Sequence, residues 1–265
     1  VLEPHSTQDN LHYEWVPSLS SSKPGQESCS DCHSASRSDF EFPLPVDEWL
    51  LDAHSFSPLN PRFATCYLGT DMQGNQSPRT RYGYHPDYGR IPLLPDPRKA
   101  YYGPGFKLDF PESSGNCAAC HAPATAVNRP YGTDPTGLVQ VDAEGIPCDF
   151  CHKVWDVLLD PGSGLPFENR PGVLSFQFRR PPEGHQFFAG PFDDVAPGED
   201  TFSSVQTESH YCAPCHFGMF WGVTVYNSYG EWLASPYSDP EQGRTCQDCH
   251  MPRTGARYFV RPDKG

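Results

Sequence analysis

Apolar positions along this chain come in short bursts rather than in long periodic stretches. Residues 46–53 (Val-Asp-Glu-Trp-Leu-Leu-Asp-Ala) carry helical spacing and predict a helix running up to His54. Residues 228–235 predict a second helix, and residues 206–217 a third. Pro147 stands where a helix favours proline in its first turn, so a fourth is expected over 148–159. Alternation over 174–178 (Leu-Ser-Phe-Gln-Phe) predicts a short hairpin arm and is the clearest strand signal. Proline-rich stretches at 91–97, 180–182 and 196–198 read as loops. The longest apolar run, 220–225, includes Gly222 and Thr224 and falls well short of the ~18 residues of a membrane span.

Composition sharpens this pattern. The chain has 265 residues, enough for a sizeable core, yet its hydrophobic content is 37%. Its mean hydropathy is −0.60. Gly and Pro make up about a fifth of it, below the roughly 25–30% that marks low-complexity disorder. Aromatic residues are plentiful: 17 Phe, 13 Tyr and 5 Trp. Such a chain is expected to fold as short helices and long irregular loops, with little β structure, around something other than protein. A formal charge of −14 argues against nucleic acid and anionic membranes as partners. The first residue is Val1, with no basic or apolar leader, so any signal peptide is expected either to have been removed or to lie outside this sequence.

The cysteines say what that something is. Ten of the 11 fall into five copies of one pattern: Cys29-Ser-Asp-Cys32-His33, Cys117-Ala-Ala-Cys120-His121, Cys148-Asp-Phe-Cys151-His152, Cys212-Ala-Pro-Cys215-His216 and Cys246-Gln-Asp-Cys249-His250. Cys-x-x-Cys-His is the attachment signature of c-type haem. Two thiols at this spacing reach the two vinyl groups on one edge of the porphyrin and form thioethers, and the following His becomes the proximal iron ligand. Zinc sites also use Cys-x-x-Cys, but none needs a His after every second Cys. Thioredoxin-like pairs occur singly on a βαβ frame. Five covalently bound haem c groups are therefore expected, and their flat apolar faces supply the missing core. Cys66 is left over and is expected to be a buried, inert thiol, an intermolecular bridge being the sharper alternative.

Histidine supply matches this count. Five proximal ligands leave six of the 11 histidines: His5, His12, His54, His85, His185 and His210. Only three methionines exist, and Met251 directly follows a proximal His, so ligation by His on both faces is expected for most irons. His54 ends a predicted helix, His185 lies in a loop beside Gly184, and His85 lies among Tyr82, Tyr84 and Tyr88. His210 is too close to Cys212 to reach the far side of its own haem and would serve a neighbour. His12 has Tyr13 and Trp15 beside it, and His5 precedes it in a polar arm. That arm, 1–26, is expected to precede one haem-filled domain over 27–265. Segments 116–152 and 211–250 each hold two motifs and look alike, which suggests a repeated two-haem unit.

Several segments resemble the multihaem c-type cytochrome superfamily that includes hydroxylamine oxidoreductase, the tetrahaem cytochromes of ammonia oxidisers and pentahaem nitrite reductase. They are Asn116-Cys-Ala-Ala-Cys-His-Ala-Pro123, Gly145-Ile-Pro-Cys-Asp-Phe-Cys-His-Lys153, Gly190-Pro-Phe-Asp-Asp194, Tyr211-Cys-Ala-Pro-Cys-His216, Tyr229-Gly-Glu-Trp-Leu-Ala-Ser-Pro-Tyr237 and Cys246-Gln-Asp-Cys-His-Met-Pro252. The resemblance implies haems in stacked and perpendicular pairs, close enough for tunnelling, attached outside the cytoplasmic membrane. Two departures set this chain apart from the enzymes. The reductase's catalytic motif has Lys in place of His, and no Cys-x-x-Cys-Lys occurs here; the oxidoreductases carry more than five haems, one of them cross-linked.

The expected function is thus electron conduction by a pentahaem protein with no bond-making chemistry, periplasmic or extracellular. It would serve redox partner proteins or extracellular acceptors. A filament form is also expected from resemblance to polymerised cytochromes, with His5 or His12 ligating a haem of the next subunit. The alternative is an oxidoreductase with one open iron acting on nitrite, hydroxylamine or a similar nitrogen compound, with Arg81, Tyr82, Tyr84 and His85 as candidate pocket residues.

Overall fold

The computed structural model describes residues 9–21, 23–37, 43–192 and 200–251. Regular elements are short throughout. The helices among these residues are α1 (Ser30–His33), α2 (Pro45–Trp49), α3 (Pro61–Leu68), α4 (Phe106–Asp109), α5 (Ala118–His121), α6 (Pro123–Ala126), α7 (Cys148–Cys151), α8 (Ala213–His216), α9 (Ser228–Leu233) and α10 (Cys246–His250). Strands pair only in twos: β1 (Tyr82–His85) with β2 (Gly89–Pro92), β3 (Val154–Val157) with β4 (Phe176–Phe178), β5 (Phe188–Gly190) with β6 (Asp200–Phe202), and β7 (Gly218–Phe220) with β8 (Val223–Tyr226). The β5–β6 pair is parallel and the others antiparallel. This is the expected class of short helices and irregular loops with little β structure. Among the described residues no helix is long and apolar enough to cross a membrane.

The chain divides into two compact units, Val1–Asp52 with Pro147–Gly265, and Ala53–Ile146. The first holds the first, third, fourth and fifth Cys-x-x-Cys-His motifs, and the second holds the motif at Cys117. Segment 116–152 therefore runs from one unit into the other. Residues of the expected N-terminal arm are fastened to the first unit. The Arg180 guanidinium grips Asp9 through Nε (2.9 Å) and Nη2 (2.6 Å), and Asn10 Nδ2 donates to the Pro181 carbonyl at 3.0 Å.

Protein-only cores are small. In the second unit Ala118, Ala122 and Ala126 pack together with Leu138. In the first unit Ala213, Phe217 and Tyr229 gather Leu159, Leu165, Met219, Trp232 and Leu233. Large apolar side chains meanwhile stand in solvent, Trp221 at 84% and Leu51 at 92% exposure among them.

Several expected elements differ. The helix expected over 148–159 stops after one turn, because Val154, Asp156 and Val157 pair as β3 with β4 instead, Trp155 being passed over at a bulge. The stretch 206–217 breaks into turns at Glu208, whose backbone is extended (φ −114°, ψ 145°). The helix expected to reach His54 ends at Trp49. The hairpin β1–β2, which no expected element covered, ends its first strand at His85. Cys66, expected buried, is exposed on α3, whose inward face is taken by Tyr67. Loop 196–198 and His5 lie outside the described residues.

Candidate haem sites

Every one of the five motifs folds as a single helical turn ending at, or one residue before, its His. In the first three the His amide donates to the carbonyl of the first Cys: His33 to Cys29 (2.8 Å), His121 to Cys117 (3.0 Å) and His152 to Cys148 (3.0 Å). Positions i, i+3 and i+4 share one helix face, so the turn presents two thiols and an imidazole on the same side. Local side chains close these turns. In the fifth motif Thr245 and Asp248 form a capping box, Thr245 Oγ1 accepting from Asp248 N (3.2 Å) and Asp248 Oδ2 from Thr245 N (2.8 Å). In the first, Asp31 Oδ2 accepts from Ser28 N at 2.7 Å.

None of the ten motif cysteines is tied up in a disulfide. Among the described residues no three His, Cys, Asp or Glu side chains converge as a metal centre. Paired thiols with a separate imidazole on one face are the donor set that a covalently held haem requires, and the residues fit that group. Burial pushes the Cys117 thiol up to about 11 and Cys151 up to about 12, which keeps both protonated.

Two of the motif histidines, His121 and His152, are half-buried and hydrogen-bonded. His152 Nδ1 lies 2.7 Å from the Ala189 carbonyl, and a ring N–H of His121 donates to the Ser57 carbonyl. Burial lowers both imidazoles below their ordinary 6.5, so each is neutral at pH 7, with one nitrogen tied to a carbonyl and the other left basic. His33, His216 and His250 stand at the surface of the described chain.

Polar staples join the motif turns of the first unit. Fully buried Ser18 takes Ser30 N on its carbonyl (2.9 Å) and Cys148 N on its Oγ (3.1 Å), tying the first motif to the third. The Cys151 carbonyl accepts from Tyr211 Oη (3.0 Å) and Gln206 Nε2 (3.0 Å), tying the third to the segment leading into the fourth. Cys246 N donates to Ser209 Oγ at 2.9 Å, and Gln247 Nε2 to the Gln206 and Glu208 carbonyls, tying that segment to the fifth. The Cys212 and Cys246 thiols themselves hydrogen-bond, which lowers Cys246 and raises Cys212. The staples thus run first, third, fourth, fifth.

Sequence reasoning treated Asp149 and Lys153 as parts of a motif and missed their role. Both side chains have 0% exposure and form an ion pair. Asp149 Oδ2 also accepts from Tyr13 Oη (2.9 Å) and Val16 N (2.8 Å), while Lys153 Nζ sits 3.9 Å from the Phe188 ring centroid. Desolvation lowers Lys153, against the pull of Asp149, and raises Tyr13. The i, i+4 spacing of opposite charges around His152 was the available signal.

The remaining candidate histidines fall in different settings. In the second unit the His54 carbonyl accepts from Ile146 N (3.0 Å). His85 Nδ1 accepts the Asp87 amide at 3.2 Å, and its ring faces Tyr88 at 4.8 Å. In the first unit His12 and His185 are exposed, and His210 Nδ1 lies 3.1 Å from Glu208 Oε2. No family model and no curated protein matches the chain. The chain is similar to the solved structure of a penta-heme cytochrome c552 from Thermochromatium tepidum, at 19% identity and a TM-score of 0.46. The match covers 86% of this chain and 53% of the other, so the chain spans about half the length of that structure.

Proposed function

We propose that this protein is a pentahaem c-type cytochrome that conducts electrons outside the cytoplasmic membrane. One observation carries the reading: each motif is a single turn presenting two thiols and an imidazole on one face, and in the first unit four such turns are stapled in series. Cys29 and Cys32, Cys117 and Cys120, Cys148 and Cys151, Cys212 and Cys215, and Cys246 and Cys249 hold the groups as thioethers. His33, His121, His152, His216 and His250 are the proximal ligands. Bound haem supplies a one-electron iron couple, and a histidine on each side keeps the iron low-spin.

The distal places go to His5, His12, His54, His185 and His210. His210 is oriented for this by Glu208, whose Oε2 accepts a hydrogen bond from Nδ1–H and leaves Nε2 as the ligating nitrogen. His85 is the spare. Its Nδ1 accepts a hydrogen bond, so the ring proton sits on Nε2, the wrong tautomer for ligation through that nitrogen. His12 is exposed on an arm fastened through Asp9 and Asn10, which supports its donation to a haem of the next subunit in a homopolymer. Redox proteins or extracellular acceptors are the partners.

The holoprotein tests this. Pyridine haemochrome should count five haems per chain, and the ferric EPR spectrum should be entirely low-spin. Absence of covalent haem sinks the reading. Five haems with one high-spin iron that binds CO on reduction would instead support the oxidoreductase. Size-exclusion chromatography and electron microscopy of native material separate a carrier from a filament.

A further inference from the structure

We propose that Phe63 is a positioning residue for the second motif: stacked on the His121 imidazole, it fixes the plane in which that ligand meets its iron. The proposal rests on the reading of Cys117–His121 as a haem attachment site.

The Phe63 and His121 ring centroids are 3.9 Å apart, with planes 20° from parallel. Phe63 is not a loose neighbour. It stacks on Tyr67 at 5.7 Å and 25°, and Tyr67 stacks on Phe106 at 5.7 Å and 19°. Three nearly parallel rings therefore form a column that leans on the imidazole. Tyr67, with 1% exposure, anchors it by donating its hydroxyl to the Ser114 carbonyl at 3.1 Å. The local sequence builds the support: Asn60 caps α3 by accepting from Arg62 N (2.9 Å), Pro61 opens the helix, and Gly69 closes it in the left-handed region.

A second restraint comes from residue 57. Its carbonyl takes the ring N–H of His121, and its hydroxyl donates to the His121 carbonyl. A hydrogen bond at one ring nitrogen fixes where the imidazole points but leaves rotation about that direction soft. A flat face packed on the ring removes that freedom. The other half-buried ligand lacks this device: Phe188 meets His152 edge-on, at 6.3 Å and 85°. The plane of an axial imidazole sets the anisotropy of a low-spin ferric signal, so one signal among five carries the readout.

The experiment compares the wild-type holoprotein with Phe63→Leu, Phe63→Met and Phe63→Tyr. Haems per chain are counted by pyridine haemochrome, and ferric EPR spectra are recorded. The expected result is five haems throughout, with one low-spin g-max displaced in the Leu and Met variants and returned to its wild-type position in Tyr. Leu and Met spectra that superpose on the wild type, with five haems retained, overturn the proposal alone. So does a Tyr variant displaced as far as Leu. A wild-type chain without covalent haem overturns the reading beneath it instead.

Discussion

Replacing Lys153 by Met should loosen the N-terminal segment while leaving the motifs intact. Asp149 and Lys153 both have 0% exposure, and Asp149 is covered by Tyr13 and Val16 of that segment. Removing one partner of a buried ion pair costs about 3–5 kcal/mol, because the other charge stays buried without its counterion. Asp149 keeps two donors, Tyr13 Oη and Val16 N, so the lower end, about 3 kcal/mol, applies. Water can reach Asp149 again only if residues 9–21 lift away, so the strain is released through that opening. At 1.4 kcal/mol per decade, about 3 kcal/mol raises the open population by roughly 150-fold. Limited proteolysis reads this directly, since cleavage of a rapidly opening segment follows its open population. The variant should be cut within 9–21 about two orders of magnitude faster than wild type, with haem content unchanged. Lys153→Met combined with Asp149→Asn should recover most of the protection, because Asn still accepts from Tyr13 and Val16. Cleavage within threefold of wild type would refute the assignment of this pair as the latch.

Three further outcomes follow from the geometry. Gly145→Ala should destabilise the second unit by at least about 2 kcal/mol, because φ is +75° there and a Cβ would overlap the His54 carbonyl and the Ser57 amide; the denaturant midpoint checks it. Asp47 is held below its ordinary 3.8 by the Ala35 and Leu44 amides (2.8 Å each) and the Ser34 hydroxyl (2.7 Å). Its folded value is depressed, so its stabilising contribution is present above pH 3.8 and is lost as pH falls through the folded value; acid titration of Asp47→Asn should be flatter than wild type in that window. Under the ligand assignment above, His210→Ala should turn one iron high-spin and CO-reactive, while His85→Gln leaves the ferric spectrum low-spin. The reverse pattern would exchange the two residues' roles.

The five motif turns were legible because they are local: each lies within five consecutive residues and folds as one helical turn. The scarcity of long helices was legible from the broken apolar pattern and the prolines. What lay beyond sequence depends on long-range pairing. Residues 154–157 follow a helical turn in sequence but include the β-branched Val154 and Val157, and the partner strand at 176–178 decides for β. The Tyr82-Gly-Tyr-His85 alternation with a Gly at 89 carried a hairpin signal that reading it as an aromatic cluster obscured. Cys66 misled because a free thiol usually packs inside, whereas on α3 the single inward face belongs to Tyr67.

Single-turn helices are far below the ~12–15 residues at which helices persist alone, so each motif needs support from elsewhere. With alanine at the heart of one small core, that support is polar: side chains from one segment satisfy backbone groups of the next motif. The same bonds that hold a motif turn therefore fix its distance from the neighbouring turn. On the function proposed above, a series of redox groups would need fixed spacing, and a large apolar core between them would separate them. Scarcity of conventional core and close stapling of the motif turns are two sides of one arrangement. Each buried staple carries a cost of about 1–3 kcal/mol if its partner is removed, which makes the spacing as robust as the fold.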